Sequence, residues 1–265
     1  MRLFIAALFL VSFTAFASDA VDDIWTPVPE YSGTMQGGSV WNGPLAVLFD
    51  NGPFVNSPGT GYGGADESKM DELESTYGFG CQYTVGNRLA DQFEIPDGSN
   101  WNITSISFFG YQTGSGPVSP FTGVYMAVHD DFPATGAIVY GDPDTNFMTS
   151  TAFANCYRVL STGSGNPDRP VMVLVCEFTD LTLSAGTYYL NWSLAGSGSS
   201  GPWAGPVTIT GQYDTGDAFQ YTSSGWSLLA MGGTGAPQGM PFIIEGDDIG
   251  ALQSETWAGI KSLFN

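Results

Sequence analysis

The stretch Leu181-Thr182-Leu183-Ser184-Ala185-Gly186-Thr187-Tyr188-Tyr189-Leu190-Asn191-Trp192 decides the fold class. Tyr188, Leu190 and Trp192 recur at every second residue, the period at which a strand sends side chains to one face. Ser184-Ala185-Gly186 reads as a turn between this strand and the one before it, which makes the stretch a hairpin. The run Val124-Tyr125-Met126-Ala127-Val128-His129 repeats the alternation, with Val124, Met126 and Val128 on one face and Tyr125, Ala127 and His129 on the other.

Outward from these two markers, strands are expected at 45–49, 88–95, 101–111, 123–130, 137–140, 156–160, 171–178, 187–194, 207–209, 218–221 and 241–245. The chain's 36 Gly and 16 Pro punctuate these short runs and leave almost no window long enough for a helix. No internal repeat of fixed period is visible, which argues against a propeller or a β-helix. The pattern predicts an all-β fold: one antiparallel, jelly-roll-like β-sandwich over 41–246. A tail at 247–265 follows, in which Trp257, Ile260 and Leu263 or Phe264 recur at helical spacing. Ser254 can cap its start and Lys261 suits the C-terminal dipole, so a short C-terminal helix is expected.

The N-terminus reads as an export signal. Arg2 supplies a positive charge, 3–16 is an apolar run broken only by Ser12 and Thr14, and Ala15-Phe16-Ala17 offers small residues at the −3 and −1 positions of a cut before Ser18. Residues 1–17 are therefore expected to be a signal peptide and 18–40 an extended leader. The apolar run is shorter than the roughly 20 residues that span a bilayer. No later run qualifies either, so the expected mature chain has no membrane span and is secreted, extracellular or on the cell surface.

With 6 Lys and Arg against 26 Asp and Glu, the net charge is −20. Such a balance argues against nucleic acid, whose affinity comes from cations neutralising phosphates. Anionic membranes and polysaccharides are disfavoured for the same reason, and divalent cations are favoured as counterions. At 43% hydrophobic and 12% charged residues the chain is no disordered acidic tail, because it has the apolar mass for a core.

The runs 87–96 (Asn-Arg-Leu-Ala-Asp-Gln-Phe-Glu-Ile-Pro), 101–111 (Trp-Asn-Ile-Thr-Ser-Ile-Ser-Phe-Phe-Gly-Tyr) and 183–190 (Leu-Ser-Ala-Gly-Thr-Tyr-Tyr-Leu) resemble secreted bacterial β-sandwich modules of largely uncharacterised function. The tail, Thr256-Trp257-Ala258-Gly259-Ile260-Lys261-Ser262-Leu263, is similar to Thr-Trp-x-x-Ile-Lys-x-Leu endings of some secreted bacterial proteins. The resemblance covers about 41–245 and implies a fold and a surface or extracellular setting. It brings no catalytic residues with it.

Candidate chemistry is sparse. His129 is the chain's single histidine, which excludes a His-based metal cage, and it is expected as a surface residue beside Asp130 and Asp131. Calcium is the cofactor to consider first, with Asp142, Asp144 and Asn146 as the leading turn of hard oxygens, although none of the acidic loops has the EF-hand spacing. Pairing 156–160 with 171–178 as a hairpin, Leu160 opposite Val171, puts Cys156 within one position of Cys176. A disulfide and two free buried thiols both remain open, and the pair is expected as cross-strand neighbours either way. Trp203 and Trp226, flanked by Gly, Ser and Pro, are expected on loops, where indoles stack on sugar rings or plug a core.

The expected function is that of a non-enzymatic extracellular or cell-surface binding or structural module, with neutral polysaccharide the ligand class considered first. Its rivals are a glycan-active hydrolase using paired carboxylates and a structural subunit of an extracellular assembly.

Overall fold

The computed structural model describes residues 18–20 and 47–250. Its strands, in chain order, are β1 (Ser18–Ala20), β2 (Val47–Asp50), β3 (Asp66–Lys69), β4 (Thr76–Gly80), β5 (Arg88–Gly110), β6 (Phe121–His129) and β7 (Ile138–Asn146). They continue as β8 (Met148–Val159), β9 (Pro170–Gly196), β10 (Trp203–Ala204), β11 (Phe219–Thr222), β12 (Gly225–Leu228) and β13 (Phe242–Asp248). Among the described residues helical conformation is found in two three-residue 3-10 turns, Tyr62–Gly64 and Tyr83–Val85, and at Ile249 and Gly250.

Two strands far longer than the rest organise the molecule. β5 and β9 pair antiparallel from Leu89 opposite Trp192 to Gly110 opposite Met172. Kept straight, this ribbon would carry Phe108 roughly 60 Å from Leu89 at ~3.3 Å per residue. Yet the Phe108 ring lies 5.2 Å from that of Trp192, the residue facing Leu89. The ribbon therefore doubles over. Its ladder breaks register between Ile95 and Asn100 and again between Ile103 and Ser105, and Gly98 in the first break has φ +87°, open to glycine at little cost.

Folding over splits the ten-stranded sheet into two facing halves. One runs β12-β11-β5-β9-β6-β7 through the 88–95 and 186–196 ends of the long strands. The other runs β2-β13-β5-β9-β8-β3 through their 101–110 and 170–184 ends, and its β3–β8 pair is parallel. The inner faces meet in one core in which Phe242 packs on Phe93 and Trp192, and Phe49 on Phe242. A separate three-stranded sheet, β1-β4-β10, lies alongside.

The jelly-roll-like sandwich is thus corrected. The fold is mostly β with sandwich-like packing, but no sheet is closed or curled as a jelly roll requires, and no α-helix is among the elements of the described residues. Residues 1–17, most of the leader and the proposed helix at 251–265 lie outside the described residues. The hairpin expected at Ser184-Ala185-Gly186 is also absent: β9 runs through it, and the small residues mark a corner between halves. The same holds for 88–95 and 101–111, which are one strand.

The cysteine register is corrected as well. β8 ends at Val159 and β9 begins at Pro170, a longer connection than a tight hairpin, and a bulge between Phe153 and Cys156 shifts the ladder further, with Asn155 at φ 53°. Cys156 faces Val171 while Cys176 lies five positions further along β9, opposite Met148, or roughly 16 Å away. That exceeds the reach of a disulfide. Cys176 belongs to the main core and Cys156 to a second apolar cluster with Phe109, Val171 and Val173. All three cysteines are free and buried, and burial pushes each thiol's pKa well above its ordinary value. Thiol titration without reductant is expected to find no reactive thiol in the folded protein and three after unfolding in denaturant; a count of one would restore the disulfide.

Candidate functional site

The half-sheet β12-β11-β5-β9-β6-β7 has a second, outward face, and the ladder registers say what stands on it. Gln220, Leu89, Trp192 and Met126 face one another across four strands and are all buried on the core side. Because strands alternate, the neighbouring rows point outward. One row reads Trp226, Tyr221 and Arg88, and continues through Ser193 to Tyr125. The next reads Leu228, Phe219, Ala90, Asn191 and Ala127. A third carries Gln92, Tyr189 and His129.

The large side chains on this face are aromatic, and they cluster. Phe132, from the loop between β6 and β7, stacks edge-on against Phe219 at 4.7 Å, Trp226 at 5.5 Å and Tyr189 at 5.7 Å. The loop is shaped by its own acids: Asp130 Oδ1 accepts the Ala137 N–H at 2.7 Å and Asp131 Oδ1 that of Phe132 at 2.7 Å. Tyr221 lies 5.3 Å from Trp226, and across the face Tyr83 stacks flat on Tyr125 at 3.6 Å. Tyr221 is exposed, and the other six of these rings are half-buried, which leaves ring edges and faces open to a ligand.

Polar groups lie between the rings. His129, expected on the surface, is buried because the Phe132 loop folds over it. Its Nδ1 lies 3.2 Å from the Gly136 carbonyl and its Nε2 3.4 Å from the Asn191 amide nitrogen. With Nδ1 donating to Gly136, Nε2 accepts from Asn191. Asn191 Oδ1 is then a buried acceptor without a donor. Arg88 stands half-buried in the middle of the outer row.

The two tryptophans singled out in the sequence are not brought together, and neither sits on a loop. Trp203 lies in β10 opposite Gly80, bridges to Tyr111, and packs half-buried against Met70, Tyr77 and Tyr111, with its indole N–H donated to Ser200 Oγ at 3.1 Å. It belongs to the small sheet. Trp226 lies in β12 opposite Tyr221 and belongs to the aromatic face. The partners of Trp226 on that face, Phe132, Tyr221 and Tyr189, went unnoticed in the sequence, although Tyr189 stood in the marker stretch itself.

Asp142, Asp144 and Asn146 lie along β7. Asp142 accepts the Asp144 N–H and the Thr145 hydroxyl, while Asn146 Oδ1 accepts the Val124 and Met148 N–H groups and so locks β7 to β6. Among the described residues there is no group of three or more His, Cys, Asp or Glu that could hold a metal ion. Nor is there a helix long and apolar enough to cross a membrane. The all-β fold is consistent with a structural or binding module.

A cleft of about 320 Å³ begins at Gln92, on the third row of this face, and is lined by Phe49, Phe93 and the acids Asp91, Glu94 and Asp217. Asp91 is nearly fully buried in its wall. Asn51 Nδ2 and the Met240 N–H donate to Oδ2 at 2.7 and 2.8 Å, and the Gln92 N–H to Oδ1 at 2.8 Å. Burial raises the Asp91 pKa to about 6, and the Asp217 charge adds to this against those three donors. The stability consequence has a definite sign. Below about pH 4 the group is protonated folded or unfolded, and its contribution is full. As pH climbs from 4 through 6 the unfolded chain ionises first, and about 3 kcal/mol is lost. Urea unfolding at pH 4, 5, 6 and 7 should show the gap between the wild type and Asp91→Asn changing by that amount across the window; a gap independent of pH would contradict the assignment.

No protein-family model, no curated protein and no solved structure matches this chain, so its outward face is read from its own chemistry.

Proposed function

We propose that the protein is a non-enzymatic binding module, one of the secreted β-sandwich modules its sequence resembles, and that its ligand is a glycan stacked on the outward aromatic face. The observation that carries this reading is the cluster of Trp226, Tyr221, Phe132, Phe219 and Tyr189 on one sheet face, half-buried to exposed. A soluble fold gains by burying such rings. Leaving a contiguous set partly open is what a stacking surface requires. Sugar rings present apolar C–H faces to such a platform and hydroxyls to flanking polar groups. Export to the cell exterior fits a glycan ligand, and calcium at Asp142, Asp144 and Asn146 would brace β7, the edge strand of the same half-sheet.

A second reading has one observation in its favour. The cleft lined by Asp91, Glu94 and Asp217 offers a carboxyl group near pH 6 beside other carboxylates, the pairing a glycan hydrolase uses. Turnover of polysaccharides that is lost in Asp217→Asn would select it.

Binding is tested by titrating a panel of polysaccharides against intrinsic fluorescence, with calcium and with EDTA. Trp226→Ala is expected to weaken binding about tenfold, the size of one aromatic contact of ~1.4 kcal/mol, while costing at most about 1 kcal/mol of stability as a cross-strand pair. Trp203→Ala is expected to do the reverse, lowering stability by about 3 kcal/mol and leaving affinity intact. Equal effects of the two substitutions on binding would remove the face from consideration.

A further inference from the structure

Four cationic side chains are described, and three of them are engaged. Lys69 Nζ donates to Ser164 Oγ at 2.9 Å. Arg158 donates to the Tyr77 carbonyl and to the Ser68 and Thr208 hydroxyls. The Arg169 guanidinium lies 3.5 Å over the Tyr77 ring. Arg88 is different: its backbone pairs in the ladder with Tyr221, but among the described residues its side chain has no hydrogen bond, ion pair or ring contact, although the chain carries 26 acids. The residue is half-buried, and the N–H donors of its guanidinium have no acceptor among the described residues.

Its position is as informative as its isolation. Arg88 faces Tyr221 on one side, and Ser193 then Tyr125 on the other, so it stands about 5 Å from the Tyr221 strand and about 10 Å from the Tyr125 strand. Aromatic rings thus flank a guanidinium within the span of a short sugar chain. The guanidinium presents a planar fork of donors that matches a carboxylate two bonds at a time.

We propose that the aromatic face takes a glycan bearing an isolated carboxylate, a uronic acid unit among neutral sugars, with the Arg88 guanidinium pairing that carboxylate while Tyr221 and Trp226 stack on ring faces. This rests on the glycan reading above and narrows it. A net charge of −20 disfavours a long polyanion, and one cation cannot neutralise a run of phosphates, so neither a polyuronate nor nucleic acid fits. One cation matches one carboxylate. The orientation is also set, since Asp217, Asp131 and Asp91 act on Tyr189 two rows away and the carboxylate therefore belongs at the Arg88 end.

The test uses the whole protein in 0.15 M salt with EDTA, so that no divalent ion bridges acids. The probes are an aldobiouronic acid, glucuronic acid linked to a neutral hexose, and the same disaccharide with its carboxyl reduced to an alcohol. The acid is expected to bind about tenfold or more tighter, the worth of a charge-assisted pair. Arg88→Gln should erase that difference while keeping the affinity for the reduced sugar, and Arg88→Lys should recover only part of it. Its thermal midpoint should match the wild type, since no internal partner is lost; should Arg88→Gln fold poorly, the Arg88→Lys comparison decides. Equal binding of the two sugars, a difference that survives Arg88→Gln, or equal binding of a sulfated disaccharide or a short acidic peptide would each overturn the proposal. Trp226→Ala separates this from the parent reading. Loss of both sugars in Trp226→Ala with no effect of Arg88→Gln leaves the glycan face standing and the carboxylate assignment fallen. No effect of Trp226→Ala on either sugar overturns both.

Discussion

An antiparallel ribbon some twenty residues long, apolar on one face, cannot remain straight in water. Leu89, Phe93, Ile95, Ile103, Ile106 and Phe108 on β5 would all be left facing solvent, and β9 would add Met172, Leu174, Leu190 and Trp192. Doubling the ribbon over buries both ends of the same face against each other, at roughly 25 cal/mol for each Å² of apolar area removed from water. Four strands then take their places by edge pairing with one half of this ribbon, β11 and β6 on one and β13 and β8 on the other, and β12, β7, β2 and β3 add to those. The outward faces follow without further choice. Where the inner row is Gln220, Leu89, Trp192 and Met126, the next row outward must be Tyr221, Arg88, Ser193 and Tyr125.

The second sheet is held to the first by buried charge. Arg158 of β8, fully buried, donates Nε to the Tyr77 carbonyl of β4 at 2.8 Å and Nη1 to Ser68 and Thr208. Its Nη2 has no partner, so the clasp is incomplete and each bond it does make is correspondingly costly to remove. Glu67 does similar work between loops, accepting from Thr60 and from the Gly165 N–H at 2.7 Å. Burial raises its pKa, but the Gly165 N–H, the Thr60 and Ser164 hydroxyls and the Lys69 charge outweigh that and leave it lowered. The carboxylate is thus held ionised, in contrast to Asp91, where burial wins.

What the sequence could show was local, and what it concealed was the assembly of local pieces. The alternation at Val124, Met126 and Val128 marked a strand, whose one face the structure puts in the core, and Gly and Pro spacing matched the scarcity of helix in the described chain. A Gly or Pro cluster reports that the pleat is interrupted, though, and carries no information on whether the chain then reverses or turns a corner. That is why Pro96-Asp97-Gly98 and Ser184-Ala185-Gly186 read as ends of strands that in fact continue. The bulge at Phe153 to Cys156 is equally silent in composition, and it moved the cysteine register. His129 was misplaced because its cover is the next loop folding back. Arg88 could have been noticed: in a chain with 6 basic residues, one set beside Leu89 at the start of an alternating strand must face away from the core.

The acidic surplus invites an inference about ligands that the structure weakens. Many of the carboxylates are spent on backbone N–H groups in turns and corners: Asp50 accepts from Gly52, Asp66 from Gly59, Asp71 from Gly211, Asp142 from Asp144, and Asp248 from Gly250 and Asn100. A fold of many short connections rich in glycine needs such acceptors, because Asp in a turn satisfies an N–H that the ladder cannot. The net charge is in this sense a by-product of how the loops are closed. At physiological salt, charges more than about 8 Å apart are largely screened from one another. The field met by a bound group is therefore set by its immediate neighbours, and on the aromatic face that neighbour is a guanidinium. Asp130 and Asp131 are used in the same way, shaping the loop that carries Phe132 to Trp226. Overall charge thus describes how this chain builds turns, while the local charge on the aromatic face is that of Arg88, set between Tyr221 and Tyr125 by the ladder register.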